Sequence, residues 1–290
     1  MIKIGFIGLG NMGARMVTNL LQTNYEVIGY DINEKFAEEL VPLGLKKISR
    51  LNDISKDLDI IITMLPNGDI VEEIYDSIVD NFKPGTLFVD CSTTDVDQAK
   101  HLHHKCKIKK LLSLDAPVSG GVGGAEHATL TFMVGGSEIA YKKMLPLFKI
   151  MGKKSLLCGS AGSGQATKAC NNMLLATTMI GVGEAFSLGQ NLGLDPEKLF
   201  EILSTSTGSC WAVNNYCPIK NVGPTSPADN DFKPGFSADL MLKDLTIALE
   251  AIKKTNTSAP FGTKAQENFQ TMVSENHGNL DFSAITEFNK

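Results

Sequence analysis

The chain has 290 residues, of which 43% are hydrophobic and 20% charged, and its formal net charge is −5. This length is enough for two domains, and the acidic balance argues against nucleic acid or an anionic membrane as the main partner. The six cysteines form no CxxC pair, and no basic apolar leader precedes the first strand pattern. These features predict reduced thiols, a cytoplasmic location and chemistry on a small molecule.

Strand and helix patterns alternate through the first half of the chain. Seven apolar runs predict strands, at residues 2–7, 26–30, 59–64, 86–90, 112–115, 131–134 and 155–158. Helical patterns follow each of the first four runs. This alternation predicts an α/β fold in which a largely parallel, doubly wound sheet carries helices on both faces.

From Gln165 onward the pattern is helical, with no comparable strand series. The glycine-rich segment 159–164 is a natural joint, so we predict a sheet domain over residues 1–162 and an all-helical domain over 163–290. A long helix to about Leu192 opens the second domain. Its uncharged stretch, 169–183, is shorter than the roughly 20 apolar residues that span a bilayer, which favours a buried helix.

The sequence GFIGLGNMG places three glycines between the first strand and the first helix. This spacing is typical of a dinucleotide-binding turn, in which the helix N-terminus binds the phosphates. Asp31 ends the second strand, where a carboxylate accepts hydrogen bonds from ribose hydroxyls and repels a 2′-phosphate. The motif therefore predicts a Rossmann-type domain that prefers NAD to NADP; the alternative is a glycine turn without a ligand. The predicted contacts of the turn are Gly8, Gly10, Asn11, Met12 and Gly13.

Two later strands end in polar loops at the edge where a ligand would bind. After the third strand, Leu65 and Pro66 are predicted to form a wall of the cofactor site. After the fourth strand, Thr93 is predicted to hydrogen-bond the nicotinamide half. The alternative for Pro66 and Thr93 is a local role in stopping a strand and capping a helix.

The segment DAPVSGGVGGAEHATLTFMVGG, residues 115–136, holds four glycines within five positions beside Ser119. Consecutive glycines expose backbone N–H groups that can bind a carboxylate or a phosphate. We predict an anion-binding site in this segment. A flexible loop is the alternative.

Lys168 is one of only two charged residues between Leu156 and Leu194, the other being Glu184. At helical spacing it shares one face with Gln165 and Asn172. A lysine whose pKa is lowered by burial or a nearby cation can take the proton of a substrate hydroxyl. Lys168 is the candidate base, with Asn172 positioning the substrate. The alternative is a lysine paired with a carboxylate at the domain boundary.

Three other features could suggest different chemistry. The run HLHHKC, residues 101–106, holds potential metal ligands, but neighbouring histidines on a helix diverge, so we predict an exposed helix and no metal site. Cys91 lacks an accompanying histidine motif and is not expected to be a nucleophile. Trp211, the single tryptophan, is expected in a pocket wall or in the core.

Four segments together resemble the β-hydroxyacid dehydrogenases, relatives of 6-phosphogluconate dehydrogenase. They are GFIGLGNMG, DCSTTD, DAPVSGGVGGA and GSGQATKACNNM, and FKPGFSADLMLKDL follows at 232–245. The resemblance covers essentially the whole chain. It implies that Lys168 is catalytic with the help of Asn172, that Ser119, Gly120 and Gly121 hold the substrate carboxylate, and that Lys243 closes on the cofactor. It also implies a homodimer or homotetramer. Taken alone, Lys243 would be a surface residue paired with Asp239.

Within that family, STGSCWAVNNYCP at 206–218 is similar to the branch that oxidises 3-hydroxyisobutyrate. Ile70 departs from the polar residue that this branch often has there. The resemblance implies an NAD-dependent oxidation of a small 3-hydroxycarboxylate, 3-hydroxyisobutyrate to methylmalonate semialdehyde, with Lys168 as general acid and base. One alternative is a reductase of tartronate or succinate semialdehyde. The other is a module that senses nucleotides without catalysis, for which a buried base has no use.

Overall fold

A computed structural model of the chain describes residues 2–288. The chain divides into two compact units, residues 1–168 and 169–290. The division falls inside one long helix, a few residues after the boundary predicted at 162.

The first unit alternates strands and helices. Its strands are β1 (Lys3–Ile7), β2 (Glu26–Tyr30), β3 (Lys46–Lys47), β4 (Ile60–Thr63), β5 (Leu87–Asp90), β6 (Leu112–Asp115), β7 (Val118–Ser119), β8 (Leu130–Gly136) and β9 (Gly152–Gly159). Its helices are α1 (Asn11–Leu21), α2 (Glu34–Glu38), α3 (Gly68–Ile78), α4 (Val96–Ile108), α5 (Gly121–Glu126), α6 (Glu138–Met151) and the start of α7 (Ser163–Asn191). All seven predicted strands are present; the two-residue strands β3 and β7 were not predicted.

The strands form one sheet in the order β3-β2-β1-β4-β5-β6-β8-β7, with β9 paired to β8. The pairs from β3 through β6 are parallel, so the predicted doubly wound sheet is confirmed. The strands β4 and β5 read as unbroken apolar runs because both of their faces are buried. β8 runs antiparallel to β6 and β7, which the sequence pattern did not predict. The carboxyl ends of β1, β2, β4, β5 and β6 therefore share one edge.

Two apolar cores of this unit follow from the alternation of side chains along the strands. One core contains Phe6 and Phe132, and the other contains Ile7, Tyr75 and Phe88. Consecutive residues of β1 thus pack into different cores, as the period of two requires. The rings of Tyr75 and Phe88 meet edge to face, with centroids 5.1 Å apart.

The second unit is helical, as predicted. It contains the rest of α7, α8 (Pro196–Thr205), α9 (Trp211–Tyr216), α10 (Ala238–Thr255), α11 (Pro260–Met272) and α12 (Ile285–Phe288). Its core includes Met241, Leu245 and Phe269. Trp211 is not a core residue: it is 50% exposed and stacks on Tyr216. Within residues 2–288, no helix is both long and apolar enough to cross a bilayer.

Candidate cofactor and substrate sites

The glycine turn after β1 has the geometry that its sequence predicts. Gly8 has a φ of +94°, and a Cβ there would lie 2.2 Å from the carbonyl oxygen of Met64. A Cβ at Gly13 would lie 1.9 Å from the carbonyl oxygen of Gly8. By contrast, a Cβ at Gly10 would meet no atom within 4 Å. Two glycines thus close the turn, and the third leaves open space on which a ligand can approach the backbone.

The first turn of α1 offers its backbone N–H groups to an anion. Gly10 is the N-cap, no side chain caps the helix, and no acidic residue lies in its first turn. The N–H groups of Asn11, Met12 and Gly13 have no partner within the helix, and they lie at the positive end of its dipole. These residues fit a pyrophosphate.

Asp31 follows β2 and faces this turn. Its Oδ2 accepts a hydrogen bond from the backbone N–H of Leu9 at 2.6 Å, and its Oδ1 accepts one from Asn33 at 2.8 Å. A carboxylate has about four acceptor positions, so two bonds fix its orientation and leave capacity for ribose hydroxyls. The carboxylate is thus held beside the glycine turn, as the motif requires.

The loops after β4 and β5 are joined through Ser92. Its Oγ accepts a hydrogen bond from the backbone N–H of Leu65 at 2.9 Å. Leu65 and Thr93 are partly buried, and Pro66 is exposed. The N-cap residues of α3 and α4 are Asn67 and Asp95, so neither Pro66 nor Thr93 caps these helices.

Asp90, at the end of β5, is a buried carboxylate beneath these loops. Its Oδ1 accepts hydrogen bonds from Thr63 Oγ1 at 2.8 Å and from the backbone N–H of Ser92 at 3.0 Å. Burial nevertheless raises the pKa of Asp90 to about 6, with a smaller contribution from the charge of Asp115. Burial also raises the pKa of the neighbouring Cys91 thiol, which disfavours the thiolate that a nucleophile requires.

The predicted carboxylate loop turns sharply at two consecutive glycines. Ser119 ends β7, Gly120 has a φ of +134° and Gly121 a φ of +61°. Both values lie in the region that favours glycine. Ser119 and Gly121 are partly buried and Gly120 is exposed. The loop therefore turns at the surface of the first unit.

Lys168 lies directly beside this loop. Its side chain is only 7% exposed, and Nζ donates a hydrogen bond to the carbonyl oxygen of Val118 at 2.9 Å. Val118 precedes Ser119 in the chain. The structure therefore brings two of the predicted features together, the buried lysine and the start of the glycine loop. Gln165, on the same face of α7, is also buried; its amide accepts from Thr94 N and donates to the Ser92 carbonyl.

In the second unit, Asn172 is held by a carboxylate that sequence reasoning missed. Asn172 Nδ2 donates to Asp244 Oδ2, and Asn172 Oδ1 accepts from Asn171 Nδ2 at 2.9 Å. Asp244 is buried on α10, and Lys243 Nζ lies 3.7 Å from its Oδ1. The available signal was its helical spacing: Asp244 falls on the apolar stripe of Met241, Leu245 and Ala248.

The run HLHHKC is not the wholly exposed helix that we predicted. His103 and Cys106 point inward, because α4 packs on the sheet: Cys106 is fully buried and His103 hydrogen-bonds Asp115 and Ser113. His101 and His104 are exposed. Within residues 2–288, no group of three histidine, cysteine or acidic side chains could hold a metal ion.

Comparison with known proteins agrees with this architecture. Residues 3–160 match the family model of the NAD binding domain of 6-phosphogluconate dehydrogenase. Residues 162–288 match the model described as the NAD-binding of NADP-dependent 3-hydroxyisobutyrate dehydrogenase. The chain belongs to the β-hydroxyacid dehydrogenase family. Like other members, it has an NAD-binding domain followed by a helical domain.

Members of this β-hydroxyacid dehydrogenase family match the chain over nearly its full length. A probable 3-hydroxyisobutyrate dehydrogenase of Mycobacterium tuberculosis is 44% identical over 98% of this chain and 97% of its own. An NAD-dependent L-serine dehydrogenase of Pseudomonas aeruginosa is 40% identical, covering 98% of this chain and 97% of its own. A solved structure of the M. tuberculosis 3-hydroxyisobutyrate dehydrogenase with L-serine has a TM-score of 0.96 and 43% identity, over 100% of this chain and 99% of its own.

Proposed function

We propose that this chain is an NAD-dependent dehydrogenase that oxidises 3-hydroxyisobutyrate to methylmalonate semialdehyde. The observation that carries the chemistry is the buried amine of Lys168, bonded to the Val118 carbonyl directly before the loop Ser119–Gly121. The names of two relatives at 40 and 44% identity support the reaction class, and the name of the relative at 44% identity supports the substrate.

In this proposal, Ser119, Gly120 and Gly121 bind the substrate carboxylate and orient the 3-hydroxyl. Bound NAD supplies the acceptor for the hydride that leaves C3. Lys168 Nζ, in its amine form, takes the hydroxyl proton as the C3–O bond becomes a carbonyl. In the reverse direction the ammonium returns that proton. Asn172 assists in holding the substrate, and its amide is oriented by Asp244.

Within this proposal, all cofactor contacts except Lys243 lie in the first unit. Gly8, Gly10, Asn11, Met12 and Gly13 bind the pyrophosphate, and Asp31 binds the adenosine ribose. Leu65 and Pro66 form a wall, Thr93 meets the nicotinamide half, and Lys243 closes on the cofactor. The open space at Gly10 and the oriented carboxylate of Asp31 support this assignment.

L-Serine is the second candidate substrate, since a relative 40% identical to this chain is named for it. Serine has the same carboxylate and 3-hydroxyl and differs at C2, where an ammonium group replaces the methyl group. Reduction of tartronate or succinate semialdehyde is the remaining alternative, because the same residues can run the chemistry backwards.

A substrate panel tests these assignments. NADH formation is followed at 340 nm with 3-hydroxyisobutyrate, L-serine, glycerate and 4-hydroxybutyrate, each with NAD and NADP. We expect the highest kcat/KM with 3-hydroxyisobutyrate and NAD. A higher value with another acid reassigns the substrate, and no turnover with any of them contradicts the enzymatic assignment.

Lys168→Ala tests the role of the lysine. We expect kcat to fall at least about a thousandfold, because the proton acceptor is lost, while the affinity for NADH stays within about twofold. Steady-state kinetics and fluorescence titration with NADH measure the two effects. Lys142→Ala, at an exposed ion pair with Glu138, is the matched control. Lost NADH affinity with turnover retained in the bound complex would contradict the role.

We also propose a homodimer or homotetramer in the cytoplasm. All six cysteines are unpaired thiols, which supports a reducing compartment. Exposed leucines of the second unit, among them Leu188 and Leu192, support association of subunits. Sedimentation equilibrium of the purified chain measures the subunit number; a monomer at micromolar concentration would contradict it.

A further inference from the structure

A buried carboxylate outside the proposed substrate loop lies at the start of the helix that carries Lys168. Asp115 ends β6 and is 2% exposed. Its Oδ1 accepts a hydrogen bond from the backbone N–H of Gly162 at 2.9 Å, and its Oδ2 accepts one from Gln165 at 3.0 Å. Gln165 is the third residue of α7, so Asp115 satisfies an N–H group that has no partner within the helix.

Two glycines leave the space that this carboxylate occupies. A Cβ at Gly135 would lie 2.4 Å from Asp115 Oδ1, and a Cβ at Gly164 would lie 2.8 Å from Oδ2. A Cβ at Gly164 would also lie 2.4 Å from the carbonyl oxygen of Met133. Strand β8 and the first turn of α7 can therefore approach Asp115 only because these positions have no side chain.

A histidine holds the carboxylate from α4. His103 Nε2 lies 2.9 Å from Asp115 Oδ1, and His103 Nδ1 lies 2.7 Å from Ser113 Oγ. A carboxylate only accepts hydrogen bonds, so His103 Nε2 donates to Asp115, and Nδ1 lies within hydrogen-bond distance of the Ser113 hydroxyl. The carboxylate is thus fixed from both the helix and the sheet.

The segment that follows Asp115 makes a second contact with α7. Three residues later, the Val118 carbonyl accepts the hydrogen bond from Lys168 Nζ. Residues 115–118 therefore hold α7 at Gln165 and, three residues further, at Lys168. The loop Ser119–Gly121 continues directly from this segment, so its distance from the amine depends on both attachments.

We infer that Asp115, held by His103, is a positioning residue that fixes Lys168 against the loop Ser119–Gly121. This inference deepens the proposed function and rests on it for its effect on turnover. Asp115 touches neither substrate nor cofactor in this role. Asp115 fixes the position of the first turn of α7, and α7 in turn fixes the position of the Lys168 amine.

Asp115→Asn tests the inference with the smallest change in shape. The amide keeps one acceptor but presents an N–H₂ group to a backbone N–H, so the first turn of α7 shifts. We expect kcat to fall about 10- to 100-fold, as displacements of about 1 Å at a reacting group do, with the affinity for NADH within about twofold. Asp195→Asn is the matched control, because Asp195 accepts from Lys198 N at the start of α8, a helix without a proposed catalytic group.

A second readout does not depend on catalysis. Trace acetic anhydride labels amines at rates set by their exposure and protonation, and mass spectrometry gives the rate for Lys168 relative to the exposed Lys142. We expect the relative rate of Lys168 to rise at least about threefold in Asp115→Asn and to stay unchanged in Asp195→Asn. Folding of each variant is checked by thermal unfolding. The inference requires both effects, and the absence of either in folded Asp115→Asn overturns it.

His103 provides the test if Asp115→Asn does not fold. His103→Leu removes the donor to Asp115, and His103→Gln keeps one; we expect kcat and Lys168 labelling to change in the first and recover in the second. Equal behaviour of the two variants overturns the inference. A wild-type chain that turns over no hydroxyacid defeats the proposed function instead, while the labelling rates still decide whether Asp115 positions Lys168.

Discussion

Asp31 shows how one side chain can select between two cofactors. Its two oxygens are already oriented by the N–H groups of Leu9 and Asn33, so the carboxylate cannot turn away from a 2′-phosphate. We expect Asp31→Asn to lower the ratio of kcat/KM for NAD to that for NADP about tenfold. This corresponds to about 1.4 kcal/mol of lost repulsion and lost ribose binding.

Kinetics with both cofactors at saturating hydroxyacid measure this ratio. Glu39→Gln removes one exposed negative charge from the end of α2 and serves as the control for the general field of the surface. An unchanged ratio in Asp31→Asn, or an equal change in Glu39→Gln, would contradict selection by Asp31.

At the scale of elements, the turn between β1 and α1 contains glycines that the fold requires and one glycine that we expect only cofactor binding to require. Gly13→Ala places a Cβ 1.9 Å from a backbone oxygen, and Gly8→Ala adds a positive φ to a similar clash. We expect both variants to be destabilised by at least about 2 kcal/mol. Gly10→Ala meets no atom of the protein, so it keeps the thermal midpoint and weakens NADH binding about tenfold or more.

Thermal unfolding and NADH titration distinguish these three variants. Gly181→Ala is the control, since it also adds a methyl in open space, but in the interior of α7. It should leave NADH affinity unchanged and stabilise the helix by about 0.5 to 1 kcal/mol. Normal NADH affinity in Gly10→Ala would show that the cofactor does not approach this backbone.

The sequence predicted those elements whose determinants are local. The apolar runs of β4 and β5, the glycine turn and the acidic end of β2 carry their signals within a few residues, and the structure has all of them. The roles of Asp115 and His103 could not be predicted in this way. They lie 12 residues apart in the sequence, and only the packing of α4 beside β6 brings them to 2.9 Å. The divergence of neighbouring histidines on a helix suggested an exposed helix instead.

The antiparallel pairing of β7 with β8 also could not be predicted from the local sequence. Residues 118–119 are too short to carry a period, so their antiparallel pairing depends on the turn at Gly120 and Gly121 and on β8. Asp244 was missed because a single charge on an apolar helical stripe can be paired or exposed. Its bond to Asn172 becomes visible only when α10 packs in the second unit.

At the scale of the whole molecule, the pH dependence of stability combines groups that act in opposite directions. Asp57 lies beside Lys3, whose hydrogen bond lowers the pKa of Asp57 to about 2. The ionised Asp57 therefore stabilises the folded chain above the ordinary pKa of 3.8, and this stabilisation is lost as the pH falls toward 2. Asp90 acts in the opposite sense, because burial raises its pKa to about 6.

Between pH 3.8 and 6 the folded chain binds more protons at Asp90 than the unfolded chain does, so this group costs stability as the pH rises through that window. Asp90→Asn is uncharged throughout and keeps an oxygen for Thr63 and Ser92. We therefore compare the free energy of unfolding of Asp90→Asn with that of wild type at each pH. We expect this difference to favour the variant by about 1 to 3 kcal/mol more at pH 7.5 than at pH 4. Urea unfolding of both proteins at the two pH values measures this difference. Asp57→Asn is the control and should lack a gain at pH 7.5. An equal difference at both pH values would mean that Asp90 does not change its charge in this window.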